Sequence, residues 1–568
     1  MGKPHYLWFL FVLFCNNVQS QYLSDTYIQE WKHFYPSKAE RAGMHDAMFY
    51  FEQREMEPIQ KWLTYNQQIL ELLSQDNSQI DPVDSRLLKV QAQSEVDTYG
   101  ALAVHEHSLR YYSQLILNAI SSILKADYLI EPERSRLLCK RLSSISGLAK
   151  AAISNLSTVP KGDLESGLED LSKTLDDLKS DAGKLPLDFS FSQCPALAMT
   201  TKSLETLVSF AIKLSVNAEE AQPILGTKEY ERQLQLYTDS DMTSQELADL
   251  ALTEIEVVKR LMVKVSSDYL NTTYPDTPLP NDTIDIINLA LTDMEKDAPL
   301  NSTDYLEFWQ QLADNAIDFI VENDIVTLPK TNTLRIQTAP ESAGPAARIG
   351  WVASAPPFAP NPMTTLNLPS IPETLPKQEQ IDFWASFNKP FNRMIVIHEL
   401  YPGHYTQLKI SRETAHPIRL LFPYGVYIEG WATLPERVIL DEGWEKGNHL
   451  TFLAHLRKRL ENANRSYTSV QVHCNGWNEE QVMKFSIETA LLAPQFAKSL
   501  WGRIMRSPMQ LTSYFLGGAA FTKLLQSEKQ RLGDKFNLKL FMDSIIKAGP
   551  IPIDEFYSIF EQMQPTEQ

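Results

Sequence analysis

The chain has 568 residues, 43% of them apolar and 22% charged, the proportions of a globular protein rather than of a disordered chain or a polytopic membrane protein. Its 52 Lys and Arg against 71 Asp and Glu leave a net charge of −19, which excludes the basic footprint of a nucleic-acid binder. Only 21 residues are Gly, a scarcity that disfavours Gly-rich nucleotide-binding folds and turn-rich all-β folds and predicts a mainly α protein.

Residues 6–15 (YLWFLFVLFC) form an apolar run. It is shorter than the roughly 20 residues that span a bilayer. Its length fits the hydrophobic region of a signal peptide, with Lys3 before it and Val18-Gln19-Ser20 at a cleavage site. The expectation is a signal peptide over 1–20, a secreted mature chain from Gln21 and no membrane anchor after cleavage. The mature chain then holds Cys139, Cys194 and Cys474, enough for at most one internal disulfide, and lacks any CxxC pair. Sequons stand at Asn155, Asn271, Asn281, Asn301 and Asn464. Those at 271–301 lie in polar, Pro-containing sequence that reads as exposed loop.

Helical periodicity dominates the mature chain. Leu204, Leu207, Val208, Ala211 and Leu214 form one apolar stripe. Thr243-Ser-Gln-Glu246 reads as a capping box ahead of a second stripe through Leu247, Ala251, Ile255, Val258 and Met262. Residues 267–282 read as a loop from their Pro, Asn and Asp content. A Pro-rich stretch over 337–373 carries few helical signals, and within it Thr364–Leu368 can form a short strand. The helical pattern returns at Phe383 and holds to about Phe560. The predicted organisation is a helical N-terminal part over 21–336, followed by 337–568 as the metal-site half of the same body.

Phe391–Ile397 leads into His398-Glu399-Leu-Tyr-Pro402-Gly403-His404. Two imidazoles on one metal with a carboxylate beside them are what a zinc hydrolase needs, and HExxH supplies them because residues four apart share a helix face. Here the spacing is six, which on a straight helix leaves the rings about 120° apart and about 9 Å along the axis. Pro402 disrupts the helix and Gly403 frees the backbone, so a two-residue bulge could return His404 to the ligand position. On spacing alone, a Pro-terminated helix with an incidental His-Glu pair stands beside this reading. Glu429, in the apolar setting Val426-Tyr-Ile-Glu-Gly-Trp431-Ala, is the candidate third ligand, since an unpaired carboxylate there would be costly. Its alternative is a half-exposed helix acid. Glu436 is either the ligand instead or the hydrogen-bond partner of a ligating His.

HELYPGHYTQ is similar to the His-Glu-x-x-Pro-Gly-His-His-x-Gln run of the domain of unknown function 885 family. YIEGWATLPERVILDEGW resembles its Glu-Gly-Trp-Ala segment. Arg465 to His473 with Gly476-Trp477-Asn-Glu-Glu-Gln481 resembles its Arg…Leu-His-x-x-Gly-Trp-[ST]-x-x-Gln segment. Pro508-Met-Gln510-Leu-Thr-Ser513-Tyr514-Phe-Leu-Gly517 resembles its Pro-Gly-Gln-x-x-Ser-Tyr-x-x-Gly segment. The four motifs fall in order over about 390–560. The sequence departs from the pattern at Tyr405, which replaces the second His of a doublet, at Val470-Gln471 and at Met509. The resemblance implies a large helical zinc-peptidase-like fold with one Zn2+ per chain on His398, His404 and Glu429, and Glu399 as general base.

On that reading an oxyanion donor is required, and Tyr514 is the first candidate, His473 the second. Arg465 either holds a substrate carboxylate or pairs with a helix acid. A glycan at its neighbour Asn464 would obstruct a cleft there, so Asn155, Asn271, Asn281 and Asn301 are the sequons expected to be used. Strand 364–368 is a candidate to receive a peptide by strand addition. Cys139 and Cys194 are the expected disulfide, with Cys474 free because it follows His473 in a motif with functional surroundings. The expected activity is hydrolysis of peptide substrates, with a bias to basic peptides if acids line the cleft. A catalytically inactive secreted binding protein and a zinc hydrolase of a non-peptide amide or ester are the alternatives. Substrate identity, the position of cleavage and oligomeric state are not legible.

Overall fold

A computed structural model describes residues 19–563 apart from 76–79, 127, 180–193, 217, 219–223, 361 and 493. The expected signal peptide therefore lies almost wholly outside the described residues. The chain divides into two compact units, one of residues 1–222 with 358–360, the other of 223–357 with 361–568. The change of composition at 337 marks no change of unit; the division falls at 222/223.

The first unit is helical. Its core joins Leu109–Lys125, Glu133–Asn155, Lys161–Lys179 and Pro195–Ser215 through residues such as Leu109, Ile116, Leu142, Leu164 and Leu204. The stripe at 204, 207 and 211 is wholly buried. A disulfide joins Cys139 to Cys194 at a Cα–Cα distance of 5.6 Å, tying the Glu133–Asn155 helix to the residue that precedes Pro195–Ser215. Cys474 is the free cysteine among the described residues. Asn155 corrects one expectation: its side chain is buried, and its Nδ2 donates to Arg54 O at 2.7 Å and to the Tyr112 hydroxyl at 2.9 Å. An amide held this way is not presented for glycosylation. Asn271, Asn281 and Asn301 are exposed, while Asn464 is fully buried.

The second unit carries the motifs. Thr243 caps the long Ser244–Thr273 helix reciprocally with Glu246, and Ile255, Val258 and Met262 pack against Leu453, Leu456 and Leu460 of His449–Asn475. This helix continues through 267–273, so the expected loop is shorter and starts at Tyr274. Val265 and Leu270 are buried there and extend the apolar stripe past the polar residues that suggested a loop.

Three strands lie in and just before the Pro-rich stretch: β1 (Leu334–Thr338), β2 (Trp351–Ala353) and β3 (Thr364–Leu368). Their order is β1-β3-β2, with β1/β3 parallel from Leu334↔Thr364 and β2/β3 antiparallel from Trp351↔Asn367. Strand β3 is therefore central, with both edges already paired, and it cannot accept a peptide by strand addition. Among the described residues no helix is long and apolar enough to cross a membrane.

Candidate metal centre

Lys389–Glu399 is an 11-residue helix that begins at an Asn388 cap and Pro390 and ends on the His-Glu pair. A second helix, His404–Thr414, starts on the other His. Residues 400–403 between them are a non-helical connection with a cis Tyr401–Pro402 peptide, so the expected bulge within one helix is instead a break between two. The break solves the spacing problem, since the two imidazoles belong to separate helices and their centroids stand 4.9 Å apart. Leu400 O accepts from the Thr406 N–H at 3.2 Å, and the fully buried Trp431 donates Nε1–H to Pro402 O at 3.0 Å. These bonds occupy backbone groups that Pro402 takes out of the helical ladder.

Glu429 comes from the Gly425–Asp441 helix. Its Oε2 lies 3.3 Å from His404 Nε2 and 3.8 Å from His398 Nε2, and one donor atom from each residue falls within 4.8 Å of the other two. Tetrahedral zinc with bonds of about 2.0–2.2 Å separates its ligands by about 3.3–3.6 Å. Oε2 is buried, and no donor reaches it with hydrogen-bond geometry. An orphaned carboxylate oxygen facing two imidazole nitrogens fits a divalent cation of the zinc type.

Glu436, two turns along the same helix, is a partner rather than a ligand. Its Oε1 lies 2.7 Å from His398 Nδ1 and its Oε2 lies 3.2 Å from His455 Nδ1. A carboxylate here fixes the proton on Nδ1 and turns the Nε2 lone pair of His398 toward Glu429. Burial alone would raise the Glu436 pKa, but the contacts with His398 and His455 outweigh it and hold it down near about 2. For Glu429 burial is likewise outweighed, by His404 first and then His398 and Tyr514, leaving it at about 2. Burial would lower the His404 pKa, yet Glu429, with Glu399 behind it, raises it to about 9. Glu399 is half-buried and near enough for its charge to act on His404.

Tyr514 lies on Pro508–Leu532, which crosses the Glu429 helix where Gly430 faces Gly517. A Cβ on Gly517 would stand 2.3 Å from Val426 O, so the close approach needs Gly on both sides. That approach brings the Tyr514 hydroxyl beside Glu429. Gln510 donates Nε2–H to the Tyr514 hydroxyl at 3.0 Å, with Glu429 Oε1 at 3.5 Å from the same nitrogen. Burial first, then the Glu429 charge, pushes the Tyr514 pKa up to about 12, so the phenol keeps its proton as a donor.

Two expected site residues stand elsewhere or act differently. His473 is buried away from the triad, its Nε2–H donating to Ile504 O at 3.1 Å and its Nδ1 accepting from the Leu225 N–H at 3.3 Å. With both ring nitrogens committed to backbone, it is a structural residue and not an oxyanion donor. Arg465 pairs with Glu461 and donates to Asn462 Oδ1 at 3.1 Å, while its guanidinium lies 4.9 Å from the Tyr514 ring centroid. It serves as a helix ion pair that backs Tyr514. Tyr405 turns from the triad, its hydroxyl accepting from the Thr333 N–H at 2.9 Å. His455 and Arg503 (whose Nη2 donates to Gln510 Oε1 at 3.2 Å) are site residues that no sequence signal marks, while Gln510 stood in a family segment without a role.

The family model described as "Bacterial protein of unknown function (DUF885)" matches residues 36–557. The chain belongs to this family. Two solved structures are similar to this DUF885 chain. A candidate lipoprotein of unknown function from Shewanella oneidensis has a TM-score of 0.80 at 20% identity, covering 95% of this chain and 99% of that one. A candidate lipoprotein from Colwellia psychrerythraea has a TM-score of 0.69 at 17% identity, covering 94% and 97%. At these identities they establish the fold alone. No curated protein matches the chain.

Proposed function

We propose that this DUF885 chain is a secreted zinc metallopeptidase. The observation that carries the reading is the convergence of His398 Nε2, His404 Nε2 and Glu429 Oε2, with Glu399 beside them. On this reading the helical architecture with its small sheet is a zinc-peptidase-like fold, His398, His404 and Glu429 hold one Zn2+, and Glu436 orients His398. When bound, such an ion supplies Lewis acidity and makes water acidic enough to attack at neutral pH. Glu399 accepts a proton from the attacking water and passes it to the amine as the C–N bond breaks. Tyr514, protonated and braced by Gln510, donates to the oxygen that gains charge as water adds to the carbonyl carbon. The Cys139–Cys194 disulfide and the N-terminal apolar run support secretion.

Digestion of a mixed peptide library, read by mass spectrometry, tests the proposal. Zinc-dependent cleavage is expected. A zinc-loaded protein that leaves every peptide intact, or that cleaves only esters or non-peptide amides, rejects it. In the same assay Tyr514→Phe should lower kcat by up to about 10²–10³-fold while changing KM much less. An unchanged kcat would remove Tyr514 from the mechanism.

A further inference from the structure

Next to the Tyr514 ring the electrostatics run against the chain's net charge of −19. Arg457, Lys458, Arg465 and Arg503 all act on one half-buried carboxylate, Glu461. Arg465 is paired with Glu461, Lys458 Nζ lies 3.7 Å from it, and Arg457 has a second acid, Glu295, at 3.9 Å. Arg503 is left over: among the described residues no carboxylate lies within ion-pairing distance of it, its hydrogen-bond partners are the neutral Gln510 and Tyr514, and Glu461 acts on it only from farther away. Burial, and then the like charge of Arg465, weaken its hold on a proton. A half-buried guanidinium with N–H donors to spare and no carboxylate in contact is a ready site for an incoming anion.

The position of Arg503 says which anion. Gln510 contacts Arg503 on one side and, on the other, Tyr514 and Glu429 Oε1. The guanidinium is thus two hydrogen-bond steps from the centre where a scissile carbonyl would sit. A peptide's terminal carboxylate lies about 4 Å beyond the last scissile carbonyl, or about 7 Å if a dipeptide leaves. A planar guanidinium binds such a carboxylate in a bidentate fashion.

We propose that Arg503 binds the free α-carboxylate of a peptide substrate, so that the centre trims peptides from the C-terminus. This rests on the peptidase reading above. An acidic side chain next to the scissile bond would offer the same chemistry, and the test separates the two sources.

The probes are a blocked tetrapeptide of Ala and Phe as the free acid, the same peptide as its C-terminal amide, and an amide ending in Glu. Their binding to zinc-loaded Glu399→Gln protein is measured by calorimetry, and their hydrolysis by the wild type. The free acid should bind about 10–100-fold more tightly than either amide. That preference should vanish in Arg503→Gln and return in part in Arg503→Lys, at unchanged melting temperature. Equal binding, or no binding, of acid and plain amide overturns the carboxylate site, whether or not the wild type cleaves the library. Tight binding of the Glu-ended amide overturns the terminus in favour of a side chain. A preference for the acid without any hydrolysis by the wild type keeps this site and rejects the peptidase reading.

Discussion

Glu399→Gln should keep its zinc and lose turnover by about 10²–10⁴-fold, the range for removing a general base. Gln retains the size and most of the hydrogen-bonding capacity of Glu but cannot take a proton. The three converging donor atoms belong to His398, His404 and Glu429, so the change leaves the metal's ligand set intact. KM should move much less than kcat, because the lost interaction is made only as the proton transfers. Metal content, melting temperature and kcat on one preparation separate this from a structural role. A folded, zinc-containing Glu399→Gln protein with wild-type turnover would end the mechanism.

Gly403→Ala should damage the centre without touching any donor atom. A Cβ at 403 would stand 1.8 Å from the His398 carbonyl oxygen and 2.4 Å from that of Ile397. Both are backbone atoms of the helix that presents His398, so relief requires that helix end or the 400–403 turn to move. The turn is tied by Trp431 Nε1–H to Pro402 O and by the Gln407 N–H to Gly403 O at 3.0 Å each. We expect a loss of about 1–3 kcal/mol or more in stability, with zinc stoichiometry well below one. Gly162→Ala is the control: nothing lies within 4 Å of a Cβ at 162, and the change should be neutral or slightly stabilising. Equal behaviour of the two variants in thermal unfolding and metal content would show that the turn does not set the site.

The parts of this centre that were legible in the sequence are those whose chemistry is local. His398, Glu399 and His404 lie within seven residues, and Glu429 betrays itself as an acid among Val426, Tyr427 and Trp431. Pro402 and Gly403 signalled an interruption, but a bulge and a clean break share the same residues. What separates them is Trp431, 29 residues downstream, which bonds Pro402 O. His455 and Arg503 were not legible because their partners, Glu436 and Gln510, lie on other helices; Gln510 stood in a family segment, but it meets Glu429 only where helices cross at Gly430 and Gly517. His473 misled for the same reason: its partners, Leu225 N and Ile504 O, are backbone groups 248 and 31 residues away. Strands β1 and β2 are short and set among prolines, so no alternation could reveal them. Asn155 carries an exposed-residue motif but ends a helix that packs into the first unit's core.

The most direct measurement is a zinc titration of metal-free wild type and of the His404→Ala, Glu429→Ala double variant, with metal bound and peptide turnover read on the same samples. Wild-type turnover should rise with added zinc and saturate at one ion per chain, and the double variant should neither retain zinc nor turn over. Stoichiometric zinc in the double variant, or peptide turnover by wild type that is indifferent to zinc, would contradict a catalytic zinc centre on these residues.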